Sequence, residues 1–239
     1  MSRISCFLLF LATPPSWAAE AYSTPTEAEQ IREEIVVTAD RSKQQLQQTG
    51  NSVAVISRAQ IEDKGFDFVT DAMRQIPGLS VNQSGPIGST SQVRIRGSEA
   101  NHTLVLIDGF NANDPAIGSE FNFADLTTVD IDKIEIVRGS QTALYGSDTI
   151  GGVINLITSK PKKKGFSGKA SAAAGNNESR LYVLNLNGKG ERSYILANFS
   201  KYNTDGTNAS LRGVEKDGYE NQTDLLKFGF EITEELTTT

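Results

Sequence analysis

Reactive side chains are scarce in this sequence. Its 239 residues include one cysteine, one histidine and one tryptophan. Cys6 lies near the N-terminus and His102 is far along the chain, so no Cys/His metal set is available. No thiol nucleophile has a neighbouring base, and the phosphate-cradling pattern Gly-x4-Gly-Lys-Ser/Thr is absent. These absences point away from an enzyme. Positive charge is also short. Lys and Arg number 23 against 29 Asp and Glu, a net charge of -6, which argues against a nucleic-acid partner. The one basic run, Lys160 to Lys164 broken by Pro161, reads as a solvated junction. No apolar run approaches the ~20 residues a membrane helix requires. Any membrane crossing must therefore use β-strands, the other structure that satisfies its backbone in lipid.

What is present begins at the N-terminus. Arg3 is followed by the mostly apolar stretch Ile4 to Ala12, then Pro14-Pro15-Ser16-Trp17-Ala18. Small residues at Ser16 and Ala18 predict an export signal over 1–18, cleaved before Ala19. Cleavage would remove Cys6, leaving no thiol or disulfide. The remaining chain would start in the periplasm.

Residues 19–50 read as a flexible leader interrupted by the β-branched run Ile35-Val36-Val37-Thr38. From about 51 to 160 the pattern mixes short strands and helices. Ser57 can cap a helix, and Asp67 to Gln75 predicts a second one that stops at Pro77-Gly78. Gln92 to Arg96 alternates, Thr103 to Ile107 is apolar up to the Asp108-Gly109 turn, and Gly151 to Ile157 is another apolar strand. This predicts a compact α+β domain. After Gly165 the character changes to extended segments joined by Gly-containing turns. Leu226, Phe228, Phe230 and Ile232 alternate with polar or small residues. Asn203 to Glu220 reads as a longer outward loop. Such periodicity fits a membrane β-barrel and the edge of a soluble β-sandwich equally well.

Several segments, in order, resemble the plug of TonB-dependent outer-membrane receptors: EIVVTAD (34–40), DAMRQIPGL (71–79), VRIRG (93–97), VLIDG (105–109) and IEIVRGSQTALYGSDTIGGVINLIT (134–158). Within that family, Leu104 to Gly109 and Tyr145 to Asp148 are most similar to cobalamin (vitamin B12) receptors, although ferric-siderophore receptors share much of both. The resemblance implies an α+β plug followed by the first antiparallel strands of a transmembrane β-barrel of about 22 strands. Residues 166–239 would supply about four strands at ~10 residues each, too few to close. The chain is then either a piece of a longer receptor or a truncated plug that binds TonB without transport.

The resemblance also implies the sites. Glu34, Ile35, Val36, Val37, Thr38 and Ala39 match the TonB box, a peptide that adds a strand to TonB, which works with ExbB and ExbD. The plainer reading of the same run is an ordinary first strand of the plug, and the flanking match favours the TonB box. Asn82, Gln83, Ser84, Ser89, Ser91, Asn111, Asn113, Asp114 and Phe121 lie in two loops placed to meet cobalamin or a ferric siderophore, though any surface loop has such a composition. Arg96, Glu135 and Arg138 would hold the plug against the barrel or pair within the plug. The oxygens of Asp205, Glu215 and Asp217 suit calcium, and no other cofactor is implied. The expected setting is the outer membrane, with lipid around the strands.

Overall fold

The computed structural model describes residues 36–37, 44–45, 52–210, 213–231 and 237–238. The export signal expected at 1–18 lies outside them, as does most of the leader. No helix among the described residues is long and apolar enough to cross a membrane.

The first substantial strand is β3 (Ser52–Ser57), preceded by the two-residue strands β1 (Val36–Val37) and β2 (Gln44–Gln45). Ser57 closes a capping box on α1 (Arg58–Lys64). Its Oγ accepts the Gln60 backbone N–H at 3.3 Å, and Gln60 Oε1 accepts the Ser57 N–H at 3.0 Å. Gly65, at φ 63°, ends this helix in a left-handed cap. The helix expected over Asp67 to Gln75 is shorter, α2 (Val69–Met73). Phe68 bridges Thr127, and the Val69 N–H donates to Leu126 O at 3.0 Å, so this stretch is held extended until Val69.

A hairpin of β4 (Leu79–Gln83) and β5 (Ser91–Ile95) follows, with Leu79 opposite Ile95. Then come β6 (Thr103–Ile107), β7 (Phe110–Asn111), β8 (Ile131–Arg138), α3 (Thr142–Tyr145) and β9 (Gly152–Thr158). The sheet order is β3-β8-β9-β6-β7, with β6 and β9 parallel and the other pairs antiparallel. Alternation gives this sheet two faces. Ile56, Val105, Ile134, Ile136, Ile154 and Leu156 share one, packed with Ile61, Val69, Met73, Ile95 and Phe123 in the main core. Each such side chain contributes roughly 1.5–3 kcal/mol by leaving water. Leu104, Leu106 and Val153 occupy the other face beside Tyr145.

The remaining strands form a second sheet in chain order: β10 (Gly165–Ala174), β11 (Arg180–Lys189), β12 (Ser193–Thr204), β13 (Tyr219–Glu231) and β14 (Thr237–Thr238), all antiparallel. The turn between β10 and β11 places Asn177 and Glu178 at φ 54°. The outward loop is shorter than the expected 203–220, because β12 and β13 stay paired as far as Thr204 and Tyr219. Leu196, Asn198, Ser200, Tyr202 and Thr204 are buried along one face of β12. The opposite face exposes Tyr182, Leu184, Leu186, Ile195, Phe199, Leu226, Phe228 and Phe230. This is an antiparallel sheet with an apolar outer surface. β10 and β14 are its two edges, so it is not closed among the described residues.

Candidate functional site

Val36 and Val37 form an antiparallel ladder with Gln45 and Gln44 of the same chain. Two positions of the TonB-box match are thus paired within the chain. Its other expected site residues, Glu34, Ile35, Thr38 and Ala39, lie outside the described residues.

The two loops expected to meet a ligand come together around β5. The Ser91 N–H donates to Asn122 Oδ1 at 2.9 Å, and Gln92 Nε2 donates to Glu120. Several of the expected residues serve the scaffold. Asn113 accepts the Val105 N–H at 2.7 Å and donates to Thr103 O and Ser119 O, stapling its loop to β6. Gln83 bridges Arg74 and Pro86 O, and Ser91 is buried with its hydroxyl on Ser89 O. Ser89 turns back to Pro86 through its N–H. Asp114 caps the short turn at Pro115–Ile117 by accepting the Ala116 N–H. Phe121 stacks edge-on against Phe123, with ring centroids 4.6 Å apart. Asn82, Ser84, Asn111 and Asp114 remain exposed.

Of the three charges expected to hold the plug, two are engaged inside it. Glu135 is fully buried, 2.6 Å from Lys133 Nζ, and accepts from Asn155 at 3.3 Å. Removing Lys133 would leave a buried charge unpaired, a change that costs several kcal/mol. Arg138 donates to Pro77 O at 2.7 Å and Ser52 O at 3.5 Å. Arg96 is exposed, in the left-handed region at φ 51°.

Contacts between the plug and the second sheet run through residues that sequence reading missed. Lys227 on β13 reaches Asp108 Oδ2 at 2.6 Å, and Asn198 on β12 donates to Asp130. The Tyr219 hydroxyl donates to Asp125 at 2.7 Å, and Asn221 to Asp125 O at 3.1 Å. Phe68 sits edge-on to Tyr202, with centroids 5.3 Å apart, and tilted against Tyr219. Lys169 on β10 lies 3.5 Å from Glu62 on α1. No local motif announces these partners, because each pair is distant in sequence and a lone Asp or Asn looks like any loop residue.

Burial pushes the Asp130 carboxyl above its usual range, outweighing the Asn198 bond and the nearby Arg58 and Lys227. Burial acts on Asp108 in the same sense, but the bonds from Lys227 and Thr158 win and hold it below that range. In the 205–218 loop, Asp205 pairs with Lys216 at 3.3 Å and Asp217 accepts the Ala209 N–H at 2.8 Å. Among the described residues no three acidic, His or Cys groups converge as a metal set.

Residues 45–153 match the family described as TonB-dependent Receptor Plug Domain. These residues are a TonB-dependent receptor plug. The chain is similar to two curated relatives named Vitamin B12 transporter BtuB. One, from Vibrio vulnificus strain CMCP6, is 40% identical over 129 residues, which is 54% of this chain and 21% of that protein. The other, from strain YJ016, is 32% identical over 200 residues, 81% of this chain and 32% of that protein. The chain thus spans between a fifth and a third of the length of these relatives. Among solved structures, the pyoverdine outer membrane receptor FpvA from Pseudomonas aeruginosa PAO1, bound to pyoverdine, superposes with a TM-score of 0.67 at 22% identity. That match covers 84% of this chain and 28% of the other. At that identity the likeness is one of fold: a plug of mixed helices and strands followed by antiparallel barrel strands.

Proposed function

We propose that this chain is the N-terminal portion of a TonB-dependent outer-membrane receptor that takes up cobalamin. The observation that carries the ligand assignment is the 40% identity, over 129 residues, to a protein named as a vitamin B12 transporter. In this reading β10 to β13 belong to the barrel wall, and their apolar outer face meets outer-membrane lipid. The two loops beside β5 face the outside, offering Asn82, Ser84, Asn111 and Asp114 to the ligand. Arg96 is the exposed one of the three charges assigned to barrel contact. TonB, driven by ExbB and ExbD, takes up residues 34–39 as an added strand at the edge of its own sheet. It would displace the pairing of Val36 and Val37 with Gln45 and Gln44 if it uses that edge. Calcium in the 205–218 loop would draw on Asp205, Glu215 and Asp217, and Lys216 would have to release Asp205.

The test is cyanocobalamin binding and uptake in cells carrying the receptor, with and without a calcium chelator. Val37→Pro should leave binding intact and abolish uptake, because proline removes a backbone donor and fixes φ in the coupling strand. Uptake that survives this change would sink the coupling assignment. Binding of a ferric siderophore in place of cyanocobalamin would overturn the ligand assignment and leave the coupling assignment standing.

A further inference from the structure

Asp108 sits at φ 50° in the corner between β6 and β7, a conformation that asparagine and aspartate tolerate better than most residues. Its carboxylate is bonded from two directions. Oδ1 accepts the Thr158 N–H at 2.9 Å, and Oδ2 accepts the Thr158 hydroxyl at 2.7 Å. Oδ2 also accepts Lys227 Nζ at 2.6 Å, and the same ammonium reaches the Thr158 hydroxyl. Thr158 is the last residue of β9, shortly before the chain leaves the plug to become β10. Lys227 lies on the inward face of β13, between Leu226 and Phe228, which point outward. One carboxylate therefore joins three places: the corner of the plug sheet, the end of its last long strand, and the wall.

This tie differs in kind from the others across the seam. The Glu62–Lys169 pair is well exposed, and exposed pairs contribute little. Asp130 and Asp125 receive neutral donors. The Asp108–Lys227 pair has side-chain exposures of 24% and 15%, so water competes weakly for either charge. Among the described residues Asp108 is the carboxylate that pairs directly with Lys227, while Asp130 feels the same ammonium from farther off. Such a pair is costly to break from one side, since the surviving charge stays behind without its direct partner.

We propose that Asp108, Thr158 and Lys227 form the fastening that holds the plug against the wall, and that its rupture governs when the plug detaches from β12 and β13. This assignment concerns the docking of plug on wall. It requires neither a particular ligand nor TonB.

The experiment uses the full chain in outer-membrane fragments. Leu196 faces inward on β12 and is 2% exposed. In a Cys6→Ser background, Leu196→Cys becomes a thiol that a maleimide reaches only when the plug leaves the wall. Asp108→Asn and Lys227→Met should each raise the labelling rate at least tenfold, and the double variant should exceed neither single variant by much. Lys227→Arg should stay near the parent rate. Lys227 is on the wall, so its replacement leaves the plug core untouched, and hydrogen exchange at Ile136 and Ile154 should remain slow. Parent-like labelling in Lys227→Met overturns the proposal, as do multiplying effects in the double variant. Lost protection at Ile136 and Ile154 would overturn it too, because the plug would then be unfolding where it stands.

Discussion

Gly152→Ala should be among the most damaging single-methyl changes in the plug. Gly152 opens β9 opposite Arg138, at φ 149°, where side chains are rarely found. A Cβ there would run into Val137 O and approach Ile95 Cδ1 at 3.0 Å. The first obstacle is backbone near one end of the β8–β9 ladder, so no side-chain rotation relieves it. Backbone strain at such a φ costs about 1–3 kcal/mol. Overpacking a close-packed interior adds about 1–3 kcal/mol. The sum is roughly 4 kcal/mol, a large part of the stability of an ordinary domain. Gly65 supplies the control. It also has a positive φ, 63°, but a Cβ there meets nothing within 4 Å. Gly65→Ala should cost only the conformational term, about 1–2 kcal/mol. Urea unfolding followed by circular dichroism compares the two. If Gly152→Ala is no more destabilising than Gly65→Ala, the close approach of β8 to β9 is not what demands glycine, and the reasoning fails.

Three further outcomes follow from single residues. Ser57→Ala removes one half of the capping box on α1 and should cost about 1 kcal/mol in the same unfolding assay. Asp130 and Asp108 should give opposite pH signatures. The Asp130 carboxyl is raised above its ordinary value of 3.8, so its folded-state penalty is absent at low pH and sets in as pH rises through that region. Asp130→Asn should therefore gain more stability at pH 7 than at pH 3. The Asp108 carboxyl is lowered, so its contribution is present above 3.8 and lost as pH falls through its depressed value. Asp108→Asn should cost most at neutral pH and progressively less in acid, as read from unfolding midpoints across a pH series.

The local chemistry of the chain was sufficient for much of the plug. Ser57 and Gln60 carry the capping box in their spacing, and Val93 and Ile95 alternate because one face of β5 is buried. The apolar run Thr103 to Ile107 lies inside a sheet, as a strand covered on both faces must. The change of character after Gly165 falls at the start of β10. Periodicity could not choose between a barrel wall and a sandwich edge, since both alternate with period two. The tertiary structure separates them by showing what each face touches: plug on one side, exposed apolar side chains on the other. The length of α2 was likewise beyond local reading, because Phe68 and Val69 are held by the segment around Leu126 and Thr127, nearly sixty residues on. The roles of the polar residues diverged most. Asn113 and Ser91 have loop-like neighbours in sequence, yet their side chains are consumed by the scaffold. Asp108 reads as one letter of a turn and becomes a three-way junction only when β13 delivers Lys227 from 119 residues away. Propensity, capping and alternation are local properties and travel with the sequence. Partnership between charges depends on which strands the topology lays side by side, and that is decided only in the folded chain.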